Sequence, residues 1–232
     1  MATLKYYLIP FYLNSVIFQQ PLFYLLITLS FCNIGKAQNN LTPISSNQIS
    51  VIYFEKGKQE FLIRNYKKAI AFFNQAIEIQ PKLKDVNYQA GLAEYNLKDF
   101  VTAIVYFTTE INNNGKHLSA YIFRGISEDK IQDYKAALND LNKANKINKK
   151  NDLVYLERAN IQFHINEYKK AIIDYTTALA LNPKLELAYY QLGFCNFYLK
   201  DTISACENWK KISDLDDFKG YEKVEKICNQ KH

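Results

Sequence analysis

The chain has 232 residues, 48% hydrophobic and 15% aromatic, with only 7 Gly and 5 Pro, which is ample core material and sparse turn chemistry for an all-β protein. Its formal charge of +6 rests on lysine, because Arg64, Arg124 and Arg158 are the only arginines. The planar fork that favours phosphate and base recognition is nearly missing, so no nucleic-acid partner is expected.

Residues 1–37 carry two charges, Lys5 and Lys36, and no acid. An apolar run from Leu22 to Cys32 is followed by Gly35-Lys36-Ala37, the small-residue spacing of an export-signal cleavage site. The run falls short of the roughly 20 apolar residues of a membrane span. A second apolar stretch, Tyr6 to Phe18, keeps an uncleaved N-terminal membrane anchor as the alternative. Phe31 is too large for the position before Cys32 in a lipidation box. Cleavage after Ala37 removes two positive charges and leaves +4. Residues 38–49 are polar, contain Pro43 and read as a linker.

From Ser50 the chain repeats every 34 residues. Tyr66, Phe100, Tyr134 and Tyr168 recur in register, as do Ala69, Ala103, Ala137, Ala171 and Ala205. Gly57, Gly91, Gly125, Ala159 and Gly193 form a column of small residues, and Phe73, Phe107, Leu141, Tyr175 and Trp209 a column of large ones. Ala76, Ala144 and Ala178 continue the pattern, from which Glu110 and Ile212 depart. Within "YKKAIAFFNQAIEI" the apolar residues recur at three and four, the period of an amphipathic helix. Asn65, Asp99, Asp133 and Glu167 mark a turn inside each unit, and Pro81 and Pro183 end second helices. Paired helices are predicted near 51–63 and 67–80 and again every 34 residues.

These columns resemble the tetratricopeptide repeat family of helix–turn–helix units. The resemblance covers five units, 50–83, 84–117, 118–151, 152–185 and 186–219, and implies an all-α, right-handed superhelical solenoid. One position departs: where the family has an aromatic, this chain has Glu60, Glu94, Glu128, Gln162 and Asn196, with aromatics one place later at Phe61, Tyr95, Phe163 and Phe197. Phe218, Tyr221, Val224 and Ile227, three apart, predict a C-terminal capping helix that runs into residues 220–232. Cys195, Cys206 and Cys228 are too few for a disulfide framework and read as small buried residues, although one bridge remains open in an oxidising compartment.

No phosphate loop, metal-spaced Cys or His pair, or nucleophile elbow occurs, so neither cofactor, metal nor enzymatic activity is expected. Arg124 with Asp140, and Arg158 with Asp174, occupy the same two positions of the third and fourth units; neither partner occurs there in the others, and both pairs read as ion pairs between the helices of a unit. In the family, first helices line a concave groove that takes a protein or peptide. The resemblance puts Phe54, Lys58, Tyr88, Tyr95, Asn160, His164, Tyr190, Phe194 and Tyr198 on that wall, with Phe61, Leu92, Ile122, Ile126, Leu156, Phe163 and Phe197 beside them. The wall reads as aromatic and uncharged, without the Lys and Asn clamp for a C-terminal carboxylate. The expected function is an exported interaction scaffold, periplasmic or secreted. A membrane-anchored assembly subunit is the alternative, and an enzyme depending on a groove residue such as His164 is the third reading.

Overall fold

The computed structural model describes residues 45–212 and 221–229. Among them are eleven α-helices and no strand. In chain order they are α1 (Ser46–Leu62), α2 (Tyr66–Ile79), α3 (Val86–Asn96), α4 (Phe100–Asn113), α5 (Leu118–Lys130), α6 (Tyr134–Ile147), α7 (Asp152–His164), α8 (Tyr168–Leu181), α9 (Glu186–Tyr198), α10 (Thr202–Trp209) and α11 (Tyr221–Asn229). The expected export signal and most of the linker lie outside the described residues, as do Phe218 and the side chain of Tyr221. No helix among the described residues is long and apolar enough to cross a membrane.

The register of 34 is written into the backbone as well as the side chains. Arg64, Lys98, Gln132, Asn166 and Lys200 all adopt a left-handed conformation, with φ between 61° and 66°. Each ends a first helix, and two amides fold back around it: in the first unit Arg64 N–H donates to the Phe61 carbonyl and Asn65 N–H to that of Glu60. The same two bonds recur in all five units, so a three-residue turn is built five times on one Schellman motif. The residue after the left-handed one is the N-cap of the second helix, which begins one place later. Asp99, Asp133 and Asp201 each accept an amide proton from the first turn that follows, whereas Asn65 and Glu167 make no such cap.

Close approach of the two helices is set by the small-residue column. A Cβ placed on Gly91 would stand 2.7 Å from the Phe107 ring, and one on Gly125 3.2 Å from the Ala137 carbonyl oxygen. Gly57 faces Phe73 and Gly193 faces Trp209 in the same way. The large residues are buried, and the alanine columns (Ala69, Ala103, Ala137, Ala171, Ala205) have no exposed surface at all. Consecutive helices pack throughout, and first helices also meet first helices: α1 with α3, α3 with α5, α5 with α7, and α7 with α9. That second set of contacts makes one continuous inner wall.

Three expectations change. The first helix begins at Ser46, inside the stretch read as linker, because Ser45 and Gln48 form a reciprocal capping box that extends it. In the fifth unit α10 spans only eight residues, and residues 213–220 lie outside the described set. Cys206 and Cys228 are not simple buried residues but a disulfide joining α10 to α11, which leaves Cys195 buried and free. On α11 Val224 is buried against Trp209 and Ile212.

Two substitutions of opposite sign test this geometry. Gly91→Ala should destabilise by about 1–3 kcal/mol, since the Phe107 ring must move. Lys98→Gly should stabilise by up to about 1 kcal/mol, by relieving a left-handed L-residue. Chemical denaturation of both variants, followed by far-UV circular dichroism, checks the two signs.

Candidate functional site: the inner wall of the first helices

At its two ends the inner wall carries aromatic rings and an open crevice. A crevice of about 490 Å³ opens between α1 and α3, lined by Lys58, Phe61, Leu62, Tyr88, Gln89 and Leu92 together with Glu55 and Gln59. Lys58 pairs with Glu55 at 2.7 Å and lies 4.9 Å above the Phe54 ring. At the other end Tyr198 is 47% exposed and stacks on Tyr168, with centroids 5.1 Å apart. Tyr190 is half-buried, its ring edge-on to Phe194.

Several expected wall residues belong to the core. Phe194 is 5% exposed, packed on Trp209, so it presents little surface to a partner. Ile122, Ile126 and Leu156 are likewise buried between neighbouring helices. Tyr88 leans on Phe107, Phe123 and His117, and Tyr95 on Phe100 and Phe123; both are half-buried. Asn160 is committed as well, accepting the Tyr175 hydroxyl at 2.7 Å and donating to Glu157 at 3.1 Å.

The middle of the wall is polar, which corrects the reading of an uncharged surface. The aromatic column Phe61, Tyr95, Phe163, Phe197 has a gap in the third unit, and Asp129 fills it. Asp129 is buried; its carboxylate meets Nδ1 of His164 from the next unit at 2.8 Å and Lys130 Nζ at 3.3 Å. Glu157 stands close by, and its carboxyl is pushed above the ordinary range by burial, against a hydrogen bond from Asn160 and the charge of Lys130. Tyr95 feels the charges of Lys130, Glu157 and Asp129. Of these only Asp129 leaves a mark in the sequence, as the gap in the aromatic column; Lys130 and Glu157 interrupt no repeated position, and nothing local pairs His164 with Asp129.

Behind the wall, the two arginines act as clamps. Arg124 grips Asp140 through both Nε and Nη2, the latter at 2.9 Å, and reaches Thr108 on the preceding repeat with Nη1 at 2.9 Å. Arg158 grips Asp174 with two bonds of 2.7 Å and reaches Asn142 at 2.8 Å. Each therefore ties together three helices from two repeats. Asp140 and Asp174 are buried, so neither guanidinium is free for an anion. Glu128, beside Arg124, retains a buried oxygen without a hydrogen bond, and burial together with the Asp140 charge raises its pKa to about 7.

One group of three side chains among the described residues has metal-ligand proximity: Asp85, Glu110 and His117, with ligand atoms within 4.8 Å of one another. The imidazole argues against a metal there. His117 Nδ1 accepts the Ala120 amide at 3.1 Å, so the neutral ring carries its proton on Nε2, which faces Asp85 Oδ1 at 3.2 Å and Glu110 Oε1 at 4.0 Å. The ring has no lone pair left for an ion. The triad instead holds the end of the second unit, where His117 caps α5, the first helix of the third. Glu110 is the residue that broke the small column; burial raises its pKa, offset by His117.

A tetratricopeptide repeat family model matches residues 45–83 and 153–185, the first and fourth units. The fold also matches the crystal structure of MamA protein, at 18% identity and a TM-score of 0.67, over 80% of this chain and 98% of that one. Two stretches of the chain thus carry the tetratricopeptide repeat pattern, and the array as a whole has the fold of these repeat proteins. MamA 41-end from Desulfovibrio magneticus RS-1 is similar to this repeat array at 19% identity and a TM-score of 0.68, over 81% of this chain and 99% of that one. YrrB, described as a TPR protein with an unusual peptide-binding site, matches at 17% identity and a TM-score of 0.65, over 76% and 92% of the two chains. At such identities the likeness is one of fold. No curated protein matches the sequence.

Glu128 makes the repeat core pH-sensitive. A carboxyl whose folded pKa stands above its ordinary 4.5 favours the fold when protonated, so this contribution is full below pH 4.5 and is lost between there and about pH 7. Glu128→Gln, the residue that the next unit carries as Gln162, should raise stability above pH 7 by at most about 3 kcal/mol and change little at pH 4. Denaturation midpoints of parent and variant across that range read the difference directly.

Proposed function

We propose that this repeat array is a non-enzymatic scaffold that holds an apolar or aromatic segment of another protein along its inner wall. The observation that carries the reading is the wall's graded character: half-wet tyrosines and an open crevice at the ends, with a polar island around Asp129 and His164 between them. Tyrosines suit this role because the ring is apolar while the phenol stays hydrated until a partner covers it. The peptide-binding site named for YrrB supports the choice of ligand class. Units with identical turns and clamped helices also make a rigid platform, which lowers the ordering cost of binding.

The scaffold works outside the cytoplasm in this reading, in a periplasmic or secreted setting. Two independent features support export: the apolar run ending in Gly35-Lys36-Ala37, and the Cys206–Cys228 disulfide, a bond that persists in oxidising compartments. Sequencing the N-terminus of protein isolated from its host should begin at Gln38; a retained Met1 would instead mean an anchor and an assembly subunit at the membrane.

The partner surface is tested by crosslinking in the host, identifying the captured protein, and repeating the capture with variants. Tyr198→Ala and Tyr95→Ala should each weaken binding by roughly tenfold or more while helicity is retained. Tyr198→Ala should cost less stability than Tyr95→Ala, because its ring is the more exposed. A partner captured undiminished by both folded variants would place its binding surface elsewhere than the inner wall.

A further inference from the structure

The end of the array is closed by very little. Phe194, Trp209 and Ile212 are 5%, 1% and 4% exposed, and they form one cluster with Val224 of α11. Among the α11 residues with described side chains only Val224 is buried; Ile227 and Cys228 are half-buried. A helix of nine residues is too short to persist by itself in water, so its order depends on attachment. The Cys206–Cys228 bond, closing a separation of 22 residues, supplies a covalent one.

That bond is reachable. Both sulfur-bearing residues are half-buried, and a crevice of about 270 Å³ beside them is lined by Trp209, Lys210, Val224 and Glu225. Cys195, by contrast, has no exposed surface, and burial pushes its thiol up to about 12, so it carries almost no thiolate with which to exchange.

We propose that Cys206–Cys228 is a redox-operated latch: a dithiol reductant releases α11 and bares the apolar end of the last repeat. The attacking thiolate bonds to one cysteine sulfur and expels the other, which takes up a proton. The reductant's second thiol then displaces the first sulfur, leaving two protein thiols and an oxidised, cyclic dithiol. The consequence is local. The last repeat loses its polar cap, while the clamped middle of the array is untouched.

Trp209 is the only tryptophan in the chain and lies directly beneath the latch, so its fluorescence reports this event alone. The full chain, purified oxidised, is treated with dithiothreitol without denaturant, and thiol release is counted by alkylation and mass spectrometry. Two newly alkylated cysteines, a red-shifted Trp209 emission and faster hydrogen exchange over residues 193–212, with helicity and exchange elsewhere unchanged, are expected. The Cys206→Ser, Cys228→Ser double variant should match the reduced parent with or without reductant. Three results would overturn the latch: a bond that resists the reductant under native conditions, complete reduction with Trp209 still shielded, or loss of helicity across the whole array.

Discussion

Everything in this array depends on how closely two antiparallel helices can approach at one small residue. Gly57, Gly91, Gly125 and Gly193 leave no room for a side chain against the helix that follows, and the space beside each is filled by a single large group. The fourth unit uses Ala159 and compensates with Tyr175, whose hydroxyl finds Asn160 instead of remaining buried and unpaired. Repetition of that one contact fixes the separation within each pair. The pairs then stack, the second helix of one on the first helix of the next, and the inner wall follows as a by-product of first helices meeting first helices.

The inner wall is an exception to the regularity that makes it. A solenoid needs the same residues at the same packing positions, but the surface it presents is under no such demand. Asp129 interrupts an aromatic column without disturbing the turn beside it, because the Gln132 amide bonds to its backbone carbonyl rather than to its side chain. The fold therefore tolerates a charge there, and the neighbouring unit supplies His164 to meet it. The arginine clamps lie on the other side of the same helices. There they are desolvated, and their contribution is to the geometry between repeats more than to net stability.

The ends of the array are handled differently from its middle. At the first unit, which no described repeat precedes, Val51 and Ile52 remain 44% exposed. At the last unit a short helix and a disulfide cover the apolar face. Mid-array stability comes from neighbours on both sides, which no terminal unit possesses.

The period, the helix pairs, the turn positions and the partnership of Arg124 with Asp140 and Arg158 with Asp174 could all be read in the sequence. They arise from local propensity and from positions repeated five times, so each is written more than once. What could not be read comes from contacts between units that occur only once. Asp129 with His164, and Asp85 with His117, join residues about one repeat apart, and no second copy exists to betray them. Whether a first-helix aromatic faces the wall or the core was also undecided, because Phe194 and Tyr198 lie on the same side of one helix and only Trp209 packing beneath buries the first. The pairing of Cys206 with Cys228 is of the same kind. Sequence determined the repeating unit; tertiary structure decided every interaction that the repeat does not repeat, since those depend on distances between units that no local pattern encodes.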